Sequence, residues 1–197
     1  MRAIPKPAFL ACCLPAFLCR AQEPPAPSEP VAHFGTTVVI SSGLRGEIYY
    51  IPAGSRRLPN FKKLEPVGVI YTNTLDIPPV QFTEGFPGVT GRFEWFAIDY
   101  TGRVWIETAG KYRFSLLSDD GSRLYIDGRG VINNDGVHPP MTRQGEIALS
   151  RGLHRIRVAY FQGPRFHVAL VLRVAAPGED WQVFNMDRFC PPAELEK

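Results

Sequence analysis

Downstream of Gly43, apolar and polar side chains alternate along most of the chain. "GEIYYI" (Gly46–Ile51) is β-branched and aromatic, and "RFEWFAIDY" (Arg92–Tyr100) alternates, which predicts Phe93, Trp95 and Ala97 on one side of a strand. "TG" then reads as a turn into "RVWIETAG", and "KYRFSLLSD" places Tyr112, Phe114 and Leu116 on one face. A period of two is the pattern of a strand with one buried and one wetter face. After "SRLYID", Asp127-Gly128 predicts a two-residue hairpin, because Asp and Gly tolerate the positive φ that such a turn needs. "RGVINNDG" returns, and "GEIALS", "GLHRIRVAYFQ" and "RFHVALVLRVAA" supply further strands. In "GLHRIRVAYFQ", Ile156, Val158 and Tyr160 alternate with Arg155, Arg157 and Ala159. The stretch from Leu58 to Gly91, with prolines at 59, 66, 78, 79 and 87, reads as long surface connections with short strands. No helical period of useful length appears, so many short strands and close turns predict an all-β sandwich or barrel.

The first residues read differently. Arg2 and Lys6 precede an apolar run from Ala8 to Cys19, and the small residue Ala21 follows. That order is a secretory signal peptide, expected over residues 1–21. A lipoprotein leader would need a small residue just before the modified cysteine, and Cys19 follows Leu18. "QEPPAPSEP" then reads as a stiff proline-rich tether within a lead-in over residues 22–42. The domain is expected over 43–189, with a tail over 190–197.

Cleavage changes the charge picture. The chain carries 22 basic and 19 acidic residues, and Arg2, Lys6 and Arg20 lie in the leader, so the remainder is balanced. No basic excess is left to suggest a nucleic-acid partner. The leader also holds Cys12, Cys13 and Cys19, which leaves Cys190 alone and excludes an internal disulfide in the mature chain. Such a protein is expected to be exported, in the secreted, periplasmic or cell-envelope space, with no transmembrane segment. The chain has no G-x-S-x-G elbow, H-E-x-x-H, P-loop or dinucleotide fingerprint, and its four histidines are scattered. A glycosidase needs two carboxyls about 5 Å or more apart across a cleft, which the adjacent Asp119 and Asp120 do not offer. No catalytic residues are assigned.

The central segment "GKYRFSLLSDDGSRLYIDG" (Gly110–Gly128) resembles the core motif of the protective-antigen fourteen-kilodalton domain family. "GLRGEIYY" and "LSRGLHRIRVAYFQ" flank it in the family's order, and the resemblance covers about Gly43 to Phe189. It implies a two-sheet antiparallel β-sandwich. In many members it also implies a calcium-dependent carbohydrate site in which a cis bond between paired aspartates turns both carboxylates to one ion.

On a regular strand, Asp119 and Asp120 would point to opposite faces. Two hard oxygen donors suit calcium, whose remaining ligands are carbonyls, waters or ligand hydroxyls. The alternative is a tight turn, since Asp and Gly are common turn formers. The sugar-binding relatives add an Asn and carbonyls from a second loop. Here that loop is "QGPR" (Gln162–Arg165) and has no Asn. Gln162 or loop carbonyls are candidate substitutes, whereas the Arg165 guanidinium could neutralise the two carboxylates and replace the ion. Asn134, Asp135 and His138 of "NNDGVH" are further candidates for ligand contact, against the alternative of a turn closed by Asn and Asp side chains. The aromatic residues Trp105, Tyr125, Phe161 and Phe166 have the chemistry to stack on sugar rings, although most strand aromatics are core. Two expectations follow. One is an exported module that binds a glycan or cell-surface polysaccharide with calcium at the Asp119-Asp120 clasp. The other is a non-catalytic structural or protein-interaction domain of the cell envelope, its vestigial clasp filled by Arg165.

Overall fold

The structure, a computed structural model, describes residues 43–192, so the expected leader and tether lie outside the described residues. Eleven strands follow one another: β1 (Leu44–Tyr50), β2 (Gly68–Thr72), β3 (Asp76–Gln81), β4 (Phe96–Ile106), β5 (Gly110–Asp119), β6 (Ser122–Ile126), β7 (Arg129–Asn134), β8 (Met141–Leu149), β9 (Gly152–Gln162), β10 (His167–Ala175) and β11 (Gln182–Val183). Helical geometry among the described residues is confined to three short 3-10 turns.

The strands form two antiparallel sheets packed as a sandwich, as the resemblance implied. One sheet runs β2-β1-β4-β9-β6-β7; the other runs β11-β10-β5-β8, with β3 also pairing β10. The alternating residues meet between the layers. Tyr112, Phe114 and Leu116 of β5 and Leu124 and Ile126 of β6 are buried there, with Ile156, Val158 and Tyr160 of β9 and Leu170, Leu172 and Val174 of β10. A second cluster lies on the opposite face of the six-stranded sheet. Tyr49, Ala97, Ala159 and Phe161 project outward there and are roofed by Phe61, Leu58 and Leu64 from the connection between β1 and β2.

Two local expectations are corrected. Thr101-Gly102 is not a turn: β4 continues through it and pairs with β9 from Phe96↔Gln162 to Ile106↔Gly152. The glycine serves packing instead, since a Cβ at Gly102 would lie 2.8 Å from Leu44 Cδ2. Phe93 and Trp95 are not strand residues. β4 begins at Phe96, Trp95 takes φ 60°, and Phe93 is half exposed. The Asp127-Gly128 hairpin forms as expected, with φ of 50° and 78° at its two central residues.

The site's position follows from the chain path. β5 and β6 belong to different sheets, so the two residues between them, Asp120 and Gly121, carry the chain across one end of the sandwich. The loop between β7 and β8 and that between β9 and β10 reach the same end, where they contact Asp120.

Candidate functional site

Asp119 closes β5, Asp120 follows it, and the peptide bond between them is cis. Both carboxylates face one concavity of about 410 Å³, walled by Val137, His138 and Pro139 on one side and by Pro164, Phe166 and His167 on the other. Gly121 is required by space. A Cβ there would lie 2.4 Å from Phe161 Cε1 and 2.7 Å from the Gly136 backbone nitrogen, so any side chain would push away the loop that carries His138.

The two aspartates are held very differently. Asp120 is anchored by backbone: the His138 N–H donates to its Oδ1 at 3.1 Å and the Gly163 N–H donates to its Oδ2 at 2.7 Å. A side chain at position 163 would collide with that carboxylate, since a Cβ would stand 2.9 Å from Oδ2. Asp119 receives no hydrogen bond on either carboxylate oxygen among the described residues, and its Oδ2 is fully buried without a partner. Its carbonyl is engaged, accepting from Tyr160 Oη at 2.7 Å.

Electrostatics repeat the contrast. Burial and the neighbouring Asp120 charge push Asp119 up to about 7, although His138 works against the rise. Burial raises Asp120 as well, opposed by the two backbone N–H bonds and by His138. An ionised, buried carboxylate with no donor is costly unless a cation or hydrogen bonds compensate it. The donor set therefore fits a hard cation such as calcium, with Asp119 and Asp120 as the side chains that would hold it. Among the described residues no third acidic, histidine or cysteine ligand joins them, so further oxygens would come from carbonyls, water or a ligand.

The other expected residues are distributed as follows. His138 is at the site: its N–H binds Asp120, and its ring nitrogens each lie 2.9 Å from a carbonyl oxygen, of Pro139 and of Asn134. Asn134 lies behind the site. Its Nδ2 donates to Ser118 Oγ and to the Met141 carbonyl, Ser118 in turn meets Ser122, and Asn134 Oδ1 is buried without a partner. Gln162 is fully buried and structural: its Oε1 lies 2.6 Å from Tyr160 Oη and its Nε2 donates to the His167 carbonyl. The expectation that it substitutes as a ligand is corrected on that ground.

Asp135 is also corrected. Its carboxylate accepts from Arg123 Nη2 at 2.9 Å and from the Leu58 N–H at 2.8 Å, so it ties a distant loop to β6 instead of facing the concavity. Arg165 does not fill the clasp. Its Nε lies 3.3 Å from Glu94 Oε2 and its guanidinium sits over the Phe82 ring, which turns the charge away from the aspartates. Among the candidate aromatics, Phe161 is buried within the second cluster, whereas Phe166 is 72% exposed at the mouth of the concavity. Val137, Pro164 and His167 have no motif of their own. The signal that could have found that wall is a bulky aromatic in a loop too short to bury it.

A family model described as the PA14 domain matches residues 41–179. No curated protein matches the chain. Among solved structures, an anti-sigma factor domain-containing protein is 22% identical with a TM-score of 0.61; 77% of this chain is covered, and the chain spans about half (49%) of that one. A PA14 sugar-binding domain from an RTX adhesin is also 22% identical with a TM-score of 0.61, covering 74% of this chain and 96% of its own. The epithelial adhesin 9 A domain from Candida glabrata, in complex with Galb1-3GlcNAc, is 14% identical with a TM-score of 0.53, over 76% of this chain and 88% of its own. At these identities the likeness establishes a shared fold.

Proposed function

The chain belongs to the PA14 domain family, and from that premise we propose that it is an exported, non-catalytic carbohydrate-binding module with calcium at Asp119 and Asp120. One observation carries the reading: a buried carboxylate, Asp119, that no donor among the described residues satisfies, set in an open concavity beside an exposed aromatic ring. The sugar-binding adhesin domain that shares the fold supports the same ligand class.

The residues divide the work. Asp120 is fixed by the His138 and Gly163 N–H groups, so the second carboxylate is oriented before any ligand arrives. Asp119, ionised, supplies the uncompensated charge. A calcium ion bound to the pair would supply open coordination positions for vicinal sugar hydroxyls. Phe166 offers a flat apolar face to the C–H side of a sugar ring, with Val137 and the two prolines completing the wall.

A glycan array probed with labelled protein in calcium, and again in EDTA, tests the reading. Retention of a glycan subset in calcium and its loss in EDTA are expected, along with loss in Phe166→Ala. Binding that survives EDTA unchanged would remove calcium from the account, and an array blank in both conditions would remove the sugar. N-terminal sequencing of exported protein should start at or near Gln22; a chain retaining residues 1–21 would contradict export by a cleaved leader.

A further inference from the structure

A second concavity, of about 830 Å³, lies on the outer face of the six-stranded sheet, beyond the roof over the second apolar cluster. Its floor is β4 and β9, and the Asp127-Gly128 hairpin closes one side. Two arginines face outward there directly opposite each other, Arg103 on β4 and Arg155 on β9, in the same register pair. Like charges so placed repel and disfavour the pairing. On the same face the chain neutralises its guanidinium groups. Arg45 holds Glu47 at 2.6 Å, Arg157 holds Asp99 at 2.6 Å, and Arg123 holds Asp135 at 2.9 Å. Among the described residues neither Arg103 nor Arg155 has a carboxylate within 4 Å. Asp127 lines the same concavity and feels the Arg155 charge, but its oxygens are occupied: its Oδ2 binds His154 and its Oδ1 accepts from the Arg155 backbone N–H.

We propose that this groove is a second binding site, for an anionic polysaccharide, in which Arg103 and Arg155 together clamp one sulfate or carboxylate group of the chain. Guanidinium groups are planar forks matched to such oxyanions, and two of them across one strand pair can grip a single group from both sides. Next to them, Tyr125 shows an aromatic ring backed by Arg157 and the aliphatic Leu153 is half exposed, so a sugar ring attached to the anion finds apolar surface. The site is a trough across the strands of a sheet, which suits an extended chain. An anionic membrane would call for a protruding apolar tip. The site shares no residue with the Asp119-Asp120 concavity and does not depend on it.

Isothermal titration with a heparin-derived hexasaccharide tests the proposal, using a neutral dextran hexasaccharide and phosphatidylglycerol vesicles as the other arms. Binding to the anionic hexasaccharide is expected in EDTA, weakening steeply with salt, with none to dextran. Arg103→Gln and Arg155→Gln should each reduce affinity at least about tenfold, the weight of a charge-assisted hydrogen bond. Both side chains are exposed and neutralising either relieves the repulsion between them, so melting temperatures should hold or rise, and Asp119→Asn should bind the hexasaccharide as the wild type does. Absence of binding to the hexasaccharide, wild-type affinity in either arginine variant, or binding to the vesicles alone would overturn the proposal.

Discussion

Asp119 and Asp120 are chemically identical neighbours, and their surroundings give them different tasks. Asp120 spends its oxygens on two backbone N–H groups, while Asp119 spends its own on nothing among the described residues. Their amide substitutions should therefore differ. Asp120→Asn turns one acceptor into a donor that faces a backbone N–H, so it should cost about 1–3 kcal/mol of stability in calcium-free protein. Asp119→Asn breaks no hydrogen bond and should leave calcium-free stability unchanged or higher. Urea denaturation of both variants in EDTA checks the asymmetry; equal losses would contradict it. The pair and its following glycine were legible in the sequence because they sit inside a specific motif. The fates of Asp135 and Arg165 were not. Their partners, Arg123 with Leu58 and Glu94, are brought to them by the fold, and no local pattern announces a salt bridge to a loop 71 residues away, as 94 is from 165.

The central strands behave as their alternation dictates. Tyr112, Phe114, Leu116, Leu124 and Ile126 all fall in the intersheet core. Phe114→Ala should cost about 3–5 kcal/mol, as emptying a buried aromatic site does; an unchanged urea midpoint would show that this face is not the core. The β6–β7 hairpin was legible for the same local reason. The continuity of β4 was not, because a Thr-Gly pair signals a turn locally, while the close approach of Leu44 that the glycine permits is a tertiary fact. At the hairpin, His154 Nδ1 lies 2.6 Å from Asp127 Oδ2 and its Nε2 lies 2.9 Å from the Ser150 carbonyl. Burial opposes charge on the ring, but the bonds to Asp127 and Ser150 prevail and hold His154 above its ordinary value. Burial likewise opposes charge on Asp127, which the bonds from His154 and the Arg155 N–H nevertheless hold low. The histidine is raised on folding, so its contribution is complete below about pH 6.5 and is lost as pH rises through its folded value. The aspartate's contribution is present above about pH 4 and is lost as pH falls through its lowered value. Melting curves of calcium-free protein should show stability declining from about pH 6.5 upward through the raised His154 range, and His154→Gln should reduce that decline to the part that the raised Asp119 contributes up to about pH 7. A variant with the same slope as the wild type would assign it elsewhere.

At the scale of the molecule, the described residues form a sandwich with the Asp119-Asp120 concavity at one end, where the chain crosses between sheets and two loops close in. The fold class was legible throughout, since most long strands carry their own alternation and β10 is a nearly continuous apolar run. The walls of the concavity were not, because Val137, Pro164 and Phe166 meet only when the β7–β8 and β9–β10 loops are brought side by side. The proposed site rests on Asp119 being left bare for a cation to complete it. Calorimetric titration of calcium into metal-free protein tests this most directly. One calcium ion per chain is predicted for the wild type and none for a well-folded Asp119→Asn. A wild-type chain that takes up no calcium, or a variant that binds it as tightly, would contradict the claim.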